Sequence, residues 1–191
     1  MKNDNFHAGR HSHLSGNGGF RGATSDPKNT QTDTVAETTE VAETSSTLSG
    51  EAVAELLFMI EEEKLAGDIY EAFYDLYGLE IFNKIADSED KHFDALITQA
   101  EQLGIDVDDF VFAQAGEFED PELQELYDTL LAQGAQSVTD ALEVGKAIEE
   151  KDIVDIAEAA EAVEGTTLSA VYDNLLIGSS YHLAAFDALL V

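Results

Sequence analysis

From residue 51 onward the chain holds only two histidines, His92 and His182, and both fall on apolar helical faces. His92 has Ile85, Phe93 and Leu96 as helical neighbours, with Glu89 one turn back. Glu and His three apart on a helix project side by side, so this segment offers an oxygen and a nitrogen ligand together. His182 is surrounded by Leu175, Gly178, Ala185, Phe186 and Leu189, and Glu149 shares a face with Leu142, Gly145, Ile153 and Ile156. The run Glu61-Glu62-Glu63 sweeps about 200° of helical arc, so at least one of the three leans toward the apolar stripe. Glu63 and Glu62 both have apolar neighbours, and the choice between them is close.

Inward carboxylates are costly unless they are paired or bind a metal. Their usual partners are scarce here. The same stretch has five lysines (Lys64, Lys84, Lys91, Lys146 and Lys151) and no arginine. All five stand beside polar or charged residues and read as solvated. A cation from outside is the natural neutraliser, and mixed carboxylate and imidazole ligands suit iron, manganese or zinc better than calcium. Chance must be weighed. Acids fill 34 of these 141 positions, so a Glu three before a His is weak evidence alone. The joint pattern carries more, because both histidines and a Glu on each remaining helix fall at similar depth.

Those ligands need four helices to hold them. Apolar residues recur at helical spacing and almost never alternate. Ser49 is an N-cap and Gly78 a stop, which bounds a first helix from there to Tyr77. A second runs from about Leu79 to Leu103, before Gly104. A loop from Ile105 to Glu119 follows, then a short helix opened by Asp120-Pro121 and ending near Gly134. Ser137 caps a third long helix to about Val163. Gly165 and Thr166 break the chain before a fourth, from about Thr167 to Leu190. The tight turns at Gly78 and Gly165 make two antiparallel hairpins, and the link of about 33 residues between them is long enough to cross a bundle. The expected fold is therefore all-α, a four-helix bundle of ferritin-like topology whose crossover carries a short extra helix.

Composition narrows the function classes. The chain has 191 residues and 9 Lys+Arg against 40 Asp+Glu, a net charge of −31. Such a charge repels nucleic acid. Without cysteine there is no disulfide, thiol nucleophile or Cys-ligated metal site. No apolar run approaches the ~20 residues that span a bilayer, and no secretory signal is visible at the start, so a cytoplasmic location is expected. Residues 1–48 are polar and read as a disordered tail, with 49–191 as the bundle domain. His7, His11 and His13 in the tail form a spaced trio that binds metal weakly at most.

The residues also resemble known proteins. Glu63-Lys64-Leu65-Ala66-Gly67-Asp68-Ile69-Tyr70 is similar to the first-helix motif of rubrerythrin-like, ferritin-like proteins, and Glu89-Asp90-Lys91-His92 matches their second-helix Glu-x-x-His. More closely, the chain resembles the ferritin-like family known as domain of unknown function 2202. Four segments carry that resemblance: Phe58 to Ala66, Pro121 to Ser137, Ala147 to Ile153, and Gly178-Ser179-Ser180-Tyr181-His182-Leu183. It implies a carboxylate-bridged metal protein, di-iron by analogy, acting on peroxide or oxygen or as a ferroxidase. Glu63, Glu89, His92, Glu149 and His182 would be the ligands, with Asp152 and Glu62 in reserve. Tyr70, Tyr172 and Tyr181 are candidates to tune the site.

One departure matters: the rubrerythrin pattern wants a second Glu-x-x-His, and here Ser179 stands three before His182. The centre then holds one ion or two, with Asp152 able to compensate. The competing expectation is a non-catalytic acidic scaffold or surface protein whose buried polar residues only fix helix register. Analogy also favours a homodimer.

Overall fold

The structure, a computed structural model, describes residues 48–190. The polar tail and its histidine trio lie outside the described residues. Six α-helices and no strand occur among the described residues: α1 (Gly50–Tyr77), α2 (Glu80–Gln102), α3 (Asp108–Phe112), α4 (Pro121–Gly134), α5 (Val138–Ala162) and α6 (Thr167–Leu189). None of these helices is long and apolar enough to cross a membrane.

The helix ends follow local chemistry. Ser49 Oγ accepts from the Ala52 amide and Ser137 Oγ from that of Asp140, both at 3.1 Å. Asp120 accepts from Glu122 and Leu123, with Pro121 in the first turn, where its missing N–H costs nothing. Each such cap contributes about 1 kcal/mol. Gly78 ends α1 at φ 65°, a left-handed conformation that a side chain would strain. The expected loop after α2 contains one further element, α3. Its five residues are too few to show a period.

The core is two apolar clusters stacked along the helix axes. One gathers Leu56, Met59, Ile60, Phe93, Leu96, Ile156 and Leu175. The other gathers Leu65, Ile69, Phe73, Phe82, Ile85, Ile148 and Phe186. On α1 the first cluster stops at residue 60 and the second starts at 65, and on α2 the gap falls between 86 and 93. On α5 it falls between 148 and 156, and on α6 between 175 and 186. The four gaps form one polar layer across the core. The order in which each helix meets the clusters also sets direction: α1 and α6 run one way, α2 and α5 the other. The segment from α2 to α5 must therefore travel back along the helices, and α4 packs on α1 and α5 as it does so.

That crossover corrects one expectation. Lys64 is not solvated but buried. Its Nζ donates to Asp68 Oδ2 (2.6 Å) and to the carbonyls of Gln114 (2.8 Å) and Glu117 (3.2 Å), and it lies 4.4 Å over the Phe118 ring. Asp68 accepts from the Gly116 amide, and Glu61 accepts from the amides of Glu119 and Asp120. Glu61, Lys64 and Asp68 thus form a polar strip on α1 that satisfies the backbone of residues 114–120. In sequence the strip looks like a solvated face. Only the returning chain covers it.

Candidate metal centre

The polar layer brings five expected residues together. α1 supplies Glu63, α2 supplies Glu89 and His92 one turn apart, α5 supplies Glu149, and α6 supplies His182. Their atoms fall into two sets of three convergent donors, Glu63–Glu89–His92 and Glu89–Glu149–His182, each within 4.8 Å. Glu89 belongs to both. His92 Nδ1 lies 2.7 Å from Glu89 Oε2 and 3.1 Å from Glu63 Oε2. His182 Nδ1 lies 2.8 Å from Glu89 Oε1 and 3.4 Å from Glu149 Oε2. Each imidazole therefore meets one oxygen of the shared carboxylate. The rings stack with centroids 5.6 Å apart.

Close approach is not full pairing. Both oxygens of Glu89, Glu63 Oε1, Glu149 Oε2 and His182 Nδ1 are buried without an aligned hydrogen bond among the described residues. Polar groups in a packed interior are normally satisfied, and orphans of this density call for a partner. Glu149 has one: the Tyr70 hydroxyl donates to its Oε1 at 2.7 Å, with the Gly145 carbonyl 3.2 Å away.

The electrostatics follow from burial. Desolvation pushes Glu63 up to about 8 and Glu149 up to about 7, each aided by the Glu89 charge and opposed by its imidazole. Burial would raise Glu89 as well, but the contacts with His182 and His92 win and hold it at about 2. Burial would lower the histidines, yet the facing carboxylates raise His92 to about 10 and His182 to about 9. The layer therefore holds its protons on carboxylates and rings well into the neutral range. A divalent cation would take their place.

The reserve candidates separate. Asp152 is buried with both oxygens unpartnered among the described residues, and its carboxyl is pushed well above the usual range by burial and then by Glu63, Glu62, Glu149 and Glu89. It joins neither donor set, although it feels the charges of the carboxylates in both. Glu62 joins neither set and forms an ion pair with Lys151, which also meets Asp155. Ser179 is buried, but its hydroxyl turns back to the Leu175 carbonyl. Of the tyrosines, Tyr70 touches Glu149, Tyr172 is buried with a raised pKa and a hydroxyl unpartnered among the described residues, and Tyr181 is corrected to an exposed surface residue, 73% accessible. Sequence reasoning missed Lys151 as a partner of Glu62. Its i,i+4 spacing from Asp155 was the available signal.

A profile of the uncharacterized protein domain DUF2202 matches residues 52–190. The uncharacterized protein MJ0754 of Methanocaldococcus jannaschii is 38% identical over 143 residues, spanning 75% of this chain and 77% of that protein. The crystal structure of hypothetical protein MJ0754 from Methanococcus jannaschii superposes with a TM-score of 0.71 at 38% identity, covering 75% of this chain and 81% of that one.

Proposed function

We propose a metal-binding function for this chain, which belongs to the uncharacterized DUF2202 domain family. Its helices read as a ferritin-like four-helix bundle around a dinuclear carboxylate–histidine centre. One observation carries the reading: two three-donor sets share Glu89, and four of their six carboxylate oxygens are buried without an aligned hydrogen bond among the described residues. Glu63, Glu89 and His92 would hold one ion. Glu89, Glu149 and His182 would hold the other, with Asp152 beside them to add a carboxylate where Ser179 offers none.

The donor set fits iron, with manganese or zinc as chemically allowed substitutes. Bound as iron, the pair would supply redox chemistry toward dioxygen or peroxide. The chain's own residues do the rest. Glu89 meets both imidazoles and fixes their rings. Tyr70 orients Glu149 by donating to Oε1, and burial together with the neighbouring carboxylates keeps the proton on its hydroxyl. The two apolar clusters above and below the layer exclude water, which strengthens every charge interaction within it.

Metal per chain, measured by elemental analysis after purification without chelator, tests this. Two ions per chain are expected, matching the two donor sets. Glu89→Ala should lose both, whereas His92→Ala and His182→Ala should each lose about half. A chain that binds no metal after anaerobic loading with ferrous ion overturns the proposal. Stability unchanged by chelator would then favour the scaffold.

A further inference from the structure

The seam between α1 and α5 carries further acids outside the two donor sets, next to the ligand Glu63. On α1, Glu62 and Glu63 are neighbours. On α5, Lys151 and Asp152 are neighbours. The inner pair, Glu63 and Asp152, faces the centre. The outer pair, Glu62 and Lys151, is joined by an ion pair. The Lys151 ammonium also meets Asp155 Oδ2 and lies 5.3 Å from the Phe58 ring. It is therefore a tethered cation held between two carboxylates.

Those carboxylates are not alike. Asp155 is partly exposed, while the Glu62 side chain is 3% accessible and its Oε2 has no partner among the described residues. Asp152, next to Lys151 on α5, has neither oxygen partnered among the described residues. Outside the pair, Glu55 feels the charges of Asp155 and Glu158, so the mouth of the seam is acidic. A graded line of acids thus runs from exposed Glu158 through Asp155 and Glu62 to Asp152 and Glu63, with one ammonium across it. At the opposite seam, between α2 and α6, a Cβ on Gly178 would lie 2.6 Å from His92 Nε2, so that ring packs against the α6 backbone, and no carboxylate outside the two donor sets is recorded beside it among the described residues.

Taking the buried centre as a metal site, we infer that the α1–α5 seam at Glu62, Lys151 and Asp155 is the entrance for a divalent cation, which displaces the Lys151 ammonium on its way in. Glu62 receives the ion through its free oxygen and passes it to Asp152 and Glu63. A local field of one sign concentrates counter-ions and speeds their arrival, and removing the opposing ammonium strengthens it.

Cobalt(II) loading of the chelator-treated full chain, followed by stopped-flow absorbance, is the test. Glu62→Gln should slow loading about tenfold and Lys151→Met should accelerate it by a similar factor, within the range that local fields produce. Both variants should bind as much cobalt at equilibrium as the unaltered chain. Asp155→Asn, at a partly exposed position, should slow loading less and serves if Glu62→Gln does not fold. Full cobalt content with unaltered rates overturns the entrance alone. Loss of bound cobalt in Glu62→Gln makes Glu62 a ligand and also overturns it. No cobalt bound by the unaltered chain overturns the metal centre itself, and the entrance with it.

Discussion

Glu63 and Glu62 differ by one position and 100° of helix, and that rotation decides their chemistry. Glu63 reaches His92 across the core, while Glu62 reaches Lys151 at the rim. The raised groups make the metal-free layer sensitive to pH. Glu149 and Glu63 hold protons to about 7 and 8 in the folded chain, and His182 and His92 to about 9 and 10. All four bind protons more tightly folded than unfolded, so the stability they lend is full at low pH and fades as pH rises through those values. Glu89 has the opposite sign, but its loss lies near pH 2, outside this window. The chelator-treated chain should therefore melt at a lower temperature at about pH 9 than at about pH 6. With metal bound, the same groups ligate deprotonated, and protons become competitors. Affinity should then rise over that range, and loading in weak buffer should acidify it. Thermal melts at several pH values with and without metal check both signs. A metal-free melting temperature that climbs with pH would refute the assignment of these protons.

At the scale of the helix, most of the fold was legible before any coordinates. Ser49, Gly78, Pro121, Ser137 and Gly165 punctuate the chain where the helices begin and end, because caps and stops act through neighbours in sequence. The burial of Glu89, His92, Glu149 and His182 was legible for the same reason: Glu89 and His92 share one helix, and the apolar residues around Glu149 and His182 mark faces that turn inward. What stayed hidden depends on a second element. Lys64 looks solvated until the crossover covers it. Gly178 looks like a neutral small residue until α2 brings His92 against it. That contact makes a prediction. Gly178→Ala favours the helix intrinsically, yet its Cβ would stand 2.6 Å from His92 Nε2 and must displace the ring. About half of the bound metal should be lost with helix content retained. Gly145→Ala, whose Cβ would stand 2.6 Å from the Phe186 ring, should strike the apolar core instead and lower the melting temperature. Elemental analysis and circular dichroism on the two variants separate the effects. Equal metal loss in both would mean that the centre responds only to general loosening.

Over the whole molecule, 40 acids against 9 bases set up a self-repulsion that no local contact cancels. Exposed acids interact through solvent, where the screening length falls from about 30 Å at 0.01 M salt to about 3 Å at 1 M. Sodium chloride should therefore raise the melting temperature, by roughly 2–4 °C for each kcal/mol of repulsion relieved in a chain of this size. The acids of the central layer lie behind two apolar clusters, and mobile ions do not screen them well. In the metal-free chain, protons on Glu63, Glu149, His92 and His182 offset them; a cation that enters and is coordinated would replace those protons, and its stabilisation would follow its concentration relative to its dissociation constant. The two effects act on different acids at different depths, so they should add. Melts at low and high salt, each with and without stoichiometric metal, measure both increments. A metal increment that persists at high salt locates the ion in the core. An increment that vanishes when salt is added would place it among the surface acids, where sodium competes on equal terms, and Glu63, Glu89 and Glu149 would then be balanced by their own protons and the two imidazoliums alone.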